Sequence, residues 1–394
     1  MQASNSIQQY EGLISSCGKE KPTQLPKIKL PKCHKTMEET AYIARAPLRF
    51  IPFQSDECLR RLSKRMSIHF ERGCGLCAGH ADDAYVAAGA EPSDFAAMVA
   101  SSDMFLSVRR PTDTRAFPAR SALFFLGTNT TPTSGVPSRQ APLHLDLGRL
   151  AGVQGVKGSD ILARQAAIVG HAAVLEAARQ FGISHPMLVA DGSFVRPVRM
   201  AALGSDAAGL QALATARRLG ALTHGFGFGK DWQEKIERLG ARPFCPTEAS
   251  MPLTAAFSEQ GLARLRQELS VHLSTMQLII TNVVLPDRSA PALLDEGMLS
   301  RLNPGTVIVD LAAESGGNCV LTQADETIDI FGVRIVGATT LASLEAAEAS
   351  RHFSDGLRDL LEELISADGV LSLDRHASAA AALLDEKHME RRVS

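Results

Sequence analysis

The chain has 394 residues, and its 41 Lys and Arg against 43 Asp and Glu leave a formal charge of −2. That balance excludes the basic excess expected of a nucleic-acid binder or a membrane-surface protein, and no apolar run approaches the ~18–20 residues of a transmembrane span. With 45% apolar and 21% charged residues the chain reads as globular and long enough for two cores, with no secretory h-region at its start and the cytoplasm as its default compartment.

Residues 1–40 are polar and broken by Pro22, Pro26 and Pro31, which predicts a disordered extension. Order is expected from near Tyr42. Ser55 to Arg65 has a helical pattern behind an N-cap serine, and Ser67 to Glu71 alternates like a strand. A loop from Gly73 to Gly79 and a short helix from Asp82 to Gly89 come next. Asp103 to Val108, Ala122 to Leu126 and Pro142 to Leu147 read as further strands. Ile161 to Arg179 is a long helical pattern with Leu162, Ile168, Val169, Ala172, Leu175 and Ala178 facing inward, long enough to connect two lobes.

The seven cysteines show no framework spacing, and an odd count argues against a disulfide scaffold. Cys74-Gly-Leu-Cys77, with His80 beyond it, lacks the second ligand pair of a zinc site, and no metal site is assigned.

The most organised stretch begins at Val198. Val198 to Leu203 is a buried strand, Gly204 to Gly209 a glycine turn, and the following helix closes at Gly220. Strand, glycine turn and helix make the first half of a dinucleotide-binding βαβ unit. Two of its usual features are missing. Asp206 stands where the second glycine lets the backbone approach a pyrophosphate. The acid that would hold the ribose hydroxyls is absent from His224-Gly-Phe-Gly227-Phe-Gly-Lys230. Gln277 to Asn282, Thr306 to Leu311 and Gly332 to Gly337 then read as buried strands, and Leu341 to Leu364 as a helix. Alternating strands and helices predict an α/β protein. Its two Rossmann-like lobes carry parallel sheets, with a cleft between them and long helices linking them. The expected division is 41–160 plus 346–380 for the first lobe and 161–345 for the nucleotide lobe, with a flexible tail over 381–394.

Several runs resemble the alanine dehydrogenase and pyridine nucleotide transhydrogenase family. They are the loop from Glu71 to Ala90, Val108-Arg-Arg-Pro111, the helix from Ala208 to Ala221, and Ile279 to Pro291. The most specific is Asn303-Pro-Gly-Thr-Val-Ile-Val-Asp310-Leu-Ala-Ala-Glu314-Ser-Gly-Gly-Asn318, which is similar to the NAD-binding part of the alpha subunit of proton-translocating NAD(P) transhydrogenase.

The resemblance implies an NAD(H)-binding component, with NADP as a second cofactor option, that passes hydride to NADP(H) on a partner subunit. It also implies membrane and NADP(H)-binding partners, a homodimer, and a cytoplasmic position peripheral to the inner membrane. On this chain, Asp160 and Lys157 take the catalytic positions. Gly204, Ser205, Asp206, Gly209, Gly227, Lys230, Thr281, Asn282, Asp310, Leu311, Ala312, Glu314, Gly317 and Asn318 take the cofactor-binding ones. Gly204, Gly209 and the Asp310–Asn318 run could equally be architectural, Asp160 equally a helix N-cap, and Lys230 a surface charge or a 2′-phosphate contact. Ala163 replaces a family serine and Phe257 a mobile-loop tyrosine. Two other functions stay open, an inactive paralogue with a structural or regulatory role and an alanine dehydrogenase. For the latter, Arg109 and Phe125 stand near the positions of its lysine and histidine.

Overall fold

In the computed structural model the described residues are 28–29, 40–43, 60, 62, 66–109, 117–118, 121–126, 143–150, 153, 156–182, 196–228, 231–247, 253–285, 289–365 and 370–371. The strands are β1 (Ile28–Lys29), β2 (Thr40–Ile43), β3 (Ser67–Glu71), β4 (Glu91–Ser93), β5 (Met104–Arg109), β6 (Ala122–Leu126), β7 (Leu143–Asp146), β8 (Arg199–Leu203), β9 (Leu222–Phe226), β10 (Arg242–Pro243), β11 (Leu278–Thr281), β12 (Val307–Asp310), β13 (Thr327–Ile330), β14 (Val333–Gly337) and β15 (Val370–Leu371). The helices are α1 (Asp82–Ala87), α2 (Phe95–Ser101), α3 (Ile161–Phe181), α4 (Ala207–Arg218), α5 (Trp232–Arg238), α6 (Leu253–Ala256), α7 (Glu259–Leu273), α8 (Glu296–Leu299) and α9 (Ala346–Leu364).

Two sheets carry the α/β architecture. The first is parallel, in the order β4-β3-β2-β5-β6-β7. The second runs β10-β9-β8-β11-β12-β14-β13 and is parallel except for β13. Every residue of β11 and of β12 is buried, as expected of strands covered by helices on both faces. From β8 the chain steps outward to β9 and β10, then returns to place β11 on the other side of β8. The carboxyl ends of β8 and β11 therefore flank a topological switch point, the crevice where open α/β sheets bind ligands.

Helix α3 serves both cores. Ile161 and Ile168 lie in the apolar cluster of the first sheet, while Ala172, Ala173, Val174 and Ala177 lie in that of the second. Leu175, expected to face inward, is 43% exposed. Small side chains take its place, because α3 crosses α4 at close range: a Cβ added to Gly170 would lie 2.1 Å from the Ala208 carbonyl oxygen. The sequence expectation of no apolar stretch of membrane-spanning length also needs correction. The 21 residues of α3 meet that standard by length and composition. Their packing into two cores is that of a connector helix.

Most of the Ser55–Arg65 helix, most of 1–40 and the whole 381–394 tail lie outside the described residues. Within 1–40, β1 pairs antiparallel with β15, and β2 begins at Thr40 inside the first sheet. Strands β4, β9, β10 and β13 and helices α2 and α7 are additions that sequence pattern does not announce. Leu341 to Leu364 begins as a 3-10 turn, Leu341–Glu345, before α9.

A buried histidine pair closes one edge of the second sheet. His224 on β9 is 8% exposed, and its ring meets that of His272 on α7 at 5.0 Å. His272 stacks on Phe244 at 4.2 Å, and its Nε2 is buried without a hydrogen-bond partner. Burial first, then the charges of His272, Arg199 and Arg242, push His224 down to about 4 from 6.5. Burial and Arg199 lower His272 as well. Both rings are thus neutral in the fold, whereas the unfolded chain takes up protons below pH 6.5. Stability present at pH 7 is lost as pH falls from 6.5 towards 4. Urea midpoints measured across that window should decline, and His224→Gln should flatten the decline.

Candidate functional site

The turn after β8 sits at the switch point, and its glycines are held by backbone contacts. Gly204 has φ +135°, and a Cβ there would lie 2.7 Å from the Asn282 carbonyl oxygen beyond β11. A Cβ on Gly209 would lie 2.0 Å from the Gly204 carbonyl oxygen. These contacts exist without a ligand, so both glycines are architectural whatever binds.

Asp206 takes the N-cap of α4. Its backbone is extended, its Oδ1 accepts from the Gly209 N–H at 3.0 Å, and its Oδ2 accepts from Asn282 Nδ2 at 2.6 Å. The carboxylate therefore lies on the positive end of the helix dipole, where an anionic ligand would gain most, and it is tied across the switch point to the β11 side. Ser205 fills the second ligand position. A Cβ on Gly227, just past β9, would meet Ser205 Oγ at 2.3 Å and Ser205 Cβ at 2.4 Å. As placed, Asp206 and Ser205 do not fit a dinucleotide: one holds the helix N–H, the other the space of the ribose acid.

Beyond Gly227 an aromatic ladder continues the same edge. Phe226 meets Phe228 at 4.7 Å, and Phe228 meets Phe257 at 4.6 Å. The Phe257 segment is helical on both sides, between α6 and α7. Ser258 caps α7 by accepting from the Gly261 N–H, and a Cβ on Gly261 would lie 2.3 Å from the Ala255 carbonyl oxygen. Lys230 lies outside the described residues.

The Asp310–Asn318 run is bonded largely to itself. Asp310 at the end of β12 is fully buried. Its Oδ1 accepts from the Ala312 N–H at 3.0 Å, and its Oδ2 accepts from the Asn318 and Cys319 N–H groups and from Thr322 Oγ1 at 2.7, 3.1 and 2.7 Å. Asn318 donates through Nδ2 to the carbonyls of Val283 and Pro291 and accepts from the Val283 N–H. Gly317 is enclosed too, since a Cβ there would lie 2.9 Å from Asp310 Oδ2. Thr281 and Ala312 are buried, Leu311 is half-buried, and Glu314 is exposed on the 3-10 turn Ala313–Ser315.

Asp160 and Lys157 sit at the start of α3. Asp160 is at the N-cap position but makes no capping bond. Its Oδ2 accepts from Arg164 Nε at 2.7 Å, and half of the side chain is exposed. The Lys157 N–H donates to Glu363 Oε2 on α9 at 2.9 Å. Gly158 is pressed on the same helix, since its Cβ would lie 2.3 Å from the Gly356 carbonyl oxygen. Ten residues separate Asp160 from the Gly170–Ala208 crossing, about 15 Å along the helix. Phe125 is buried and carries no exchangeable proton. The Cys74 thiol is pushed up to about 12, by burial first and then by Asp82 and Glu71, the opposite of an activated cysteine.

Comparison with known proteins agrees with this architecture. The family model described as alanine dehydrogenase/PNT, C-terminal domain, matches residues 173–389. The NAD(P) transhydrogenase subunit alpha of Cereibacter sphaeroides is 34% identical over 320 residues, covering 76% of this chain and 60% of that protein. The chain thus spans less than two thirds of that relative. In Rhodospirillum rubrum the matching protein is a separate piece of the NAD(P) transhydrogenase alpha subunit, 29% identical, with 76% of this chain and 82% of that one covered. A solved transhydrogenase from Sinorhizobium meliloti superposes with a TM-score of 0.72 at 26% identity, over 82% of this chain and 94% of that one. An L-alanine dehydrogenase shares the fold, with a TM-score of 0.69 at 18% identity over 87% and 94%.

The bonds around Asp310 and the Ser205–Gly227 contact each have a measurable consequence. Asp310→Ala orphans three buried N–H groups and should lower the unfolding free energy by about 3 kcal/mol or more in urea titrations. Gly227→Asp should lower the melting temperature through the clash with Ser205, and adding Ser205→Gly should restore most of the loss.

Proposed function

We propose a function from one premise: the chain belongs to the alanine dehydrogenase and pyridine nucleotide transhydrogenase family. It acts as the NAD(H)-binding component of a proton-translocating NAD(P) transhydrogenase, exchanging hydride with NADP(H) held on a partner subunit. The observation that carries this reading is the strand–glycine–helix turn of Gly204 and Gly209 at the switch point of the second sheet. The relatives support it, being NAD(P) transhydrogenase alpha subunits. Hydride exchange between two nicotinamide nucleotides asks the protein for orientation and exclusion of water rather than for a general acid or base.

In this proposal the adenosine end of NAD(H) lies along Ser205, Asp206 and Gly227. Thr281, Asn282, Leu311, Ala312 and Glu314 border the crevice, with Asp310, Gly317 and Asn318 shaping its floor. Asp160 and Lys157 stand on the nicotinamide side. With no carboxylate at Gly227 to repel a 2′-phosphate, NADP is the second candidate cofactor, and Lys230 its candidate contact. The partners are a membrane component and an NADP(H)-binding component, joined by a second copy of this chain, at the cytoplasmic face of the inner membrane.

The test is reconstitution. Membranes carrying the other two transhydrogenase components, and lacking their own NAD(H) component, should recover NADPH-dependent reduction of an NAD analogue when the purified chain is added. Assembly without hydride transfer would instead favour a structural or regulatory role. Failure to assemble would sink the reading.

A further inference from the structure

We infer that Asp206 is a built-in competitor for the pyrophosphate of the dinucleotide, held in place across the switch point by Asn282. The inference rests on reading this turn as the dinucleotide site, and it adds what controls occupancy there.

The starting point is what an N-terminal helix turn offers an anion: free N–H groups and half a positive charge. Here the chain's own carboxylate takes both, through Gly209 N at 3.0 Å. A side chain that only capped the helix could rotate away when a ligand arrived. Asp206 has a second anchor on the far wall of the crevice, Asn282 Nδ2 at 2.6 Å. That wall cannot retreat, because the Asn282 carbonyl is already packed on Gly204, where a Cβ would lie 2.7 Å away. The bond therefore spans the opening between β8 and β11.

The companion change sits next door. Gly227 has no side chain, and Ser205 occupies the room an acid there would need, since a Cβ added to Gly227 would fall 2.4 Å from that of Ser205. The pyrophosphate place and the ribose-acid place are thus both filled from consecutive residues of one turn. A bound dinucleotide has to displace the Asp206 carboxylate from its two partners, and then meets its charge. Neutralising that charge while keeping the cap is the discriminating change, since asparagine caps helices as well as aspartate does.

The experiment is calorimetric titration of NADH into the full chain and into Asp206→Asn, Asp206→Gly and Asn282→Ala variants, with thermal melts to establish that each is folded. Asp206→Asn and Asp206→Gly should bind about a hundredfold tighter than the unmodified chain, the scale set by removing one like charge beside the phosphates. Asn282→Ala, which frees the carboxylate without removing it, should gain about tenfold. Equal affinity in the unmodified chain and Asp206→Asn would overturn the inference while leaving the transhydrogenase reading intact. Absence of binding in every folded variant would overturn the inference together with the dinucleotide reading of the turn. Tight binding by Asp206→Asn without hydride transfer in reconstituted membranes would sink only the transhydrogenase role.

Discussion

Three backbone-on-backbone contacts fix everything near the crevice. Gly170 lies against the Ala208 carbonyl, Gly209 against the Gly204 carbonyl, and Gly204 against that of Asn282, and a Cβ at any of them would fall 2.0 to 2.7 Å from an oxygen. Together they stack α3 on α4, α4 on the end of β8, and β8 on the end of β11. None of the three can widen without moving a strand of the second sheet, whose central members are buried along their whole length. The crevice is therefore rigid in its main chain, and only the side chains of Ser205 and Asp206 decide what it admits.

Rigidity has a second source in the Asp310 and Asn318 pair. A buried carboxylate that accepts from three backbone N–H groups and a hydroxyl replaces the hydration it lost with directed bonds. Asn318 carries the constraint to the chain segment after β11, through Val283 and Pro291. The loops after β11 and β12 are thereby one unit. That explains why a run so specific in sequence contributes bonds mainly to itself. The motif keeps the walls of the crevice in register, and the ligand would meet main chain and Glu314 rather than the Asp310 carboxylate.

The same causes set how much of the molecule is legible in its sequence. Buried parallel strands such as β11, β12 and β14 announce themselves as apolar runs, and the glycine turn announces itself by spacing. Strand β9 does not, because Leu222-Thr-His-Gly-Phe226 mixes a half-exposed leucine, a buried histidine and a glycine, and its strand state comes from pairing with β8. Periodicity misplaces Leu175 on the inward face of α3, since it favours large apolar residues while the crossing with α4 selects small ones. At the site, the identities of Asp206 and Gly227 are visible in the sequence. Their partners are not: Asn282 is 76 residues from Asp206, and no local pattern says that Ser205 fills the space beside Gly227. Asp160 shows the converse, since its place before a helix suggests a cap and its side chain turns to Arg164 instead.

Asp206 also couples stability to occupancy. As an N-cap it contributes about 1 kcal/mol to α4 relative to alanine. As a like charge about 4 Å from a phosphate it would oppose binding by on the order of 4 kcal/mol at an effective dielectric near 20. Exposure to water reduces the second figure more than the first, because the capping bond is short and local while the repulsion is screened. Even halved, the repulsion exceeds the capping gain. A glycine at this position would give up only a few tenths of a kcal/mol of cap, so stability alone does not account for an aspartate here. What the aspartate adds beyond a cap is its bond to Asn282, and that bond acts only on the crevice: it holds a negative charge at the one point where the rigid main chain would otherwise attract one.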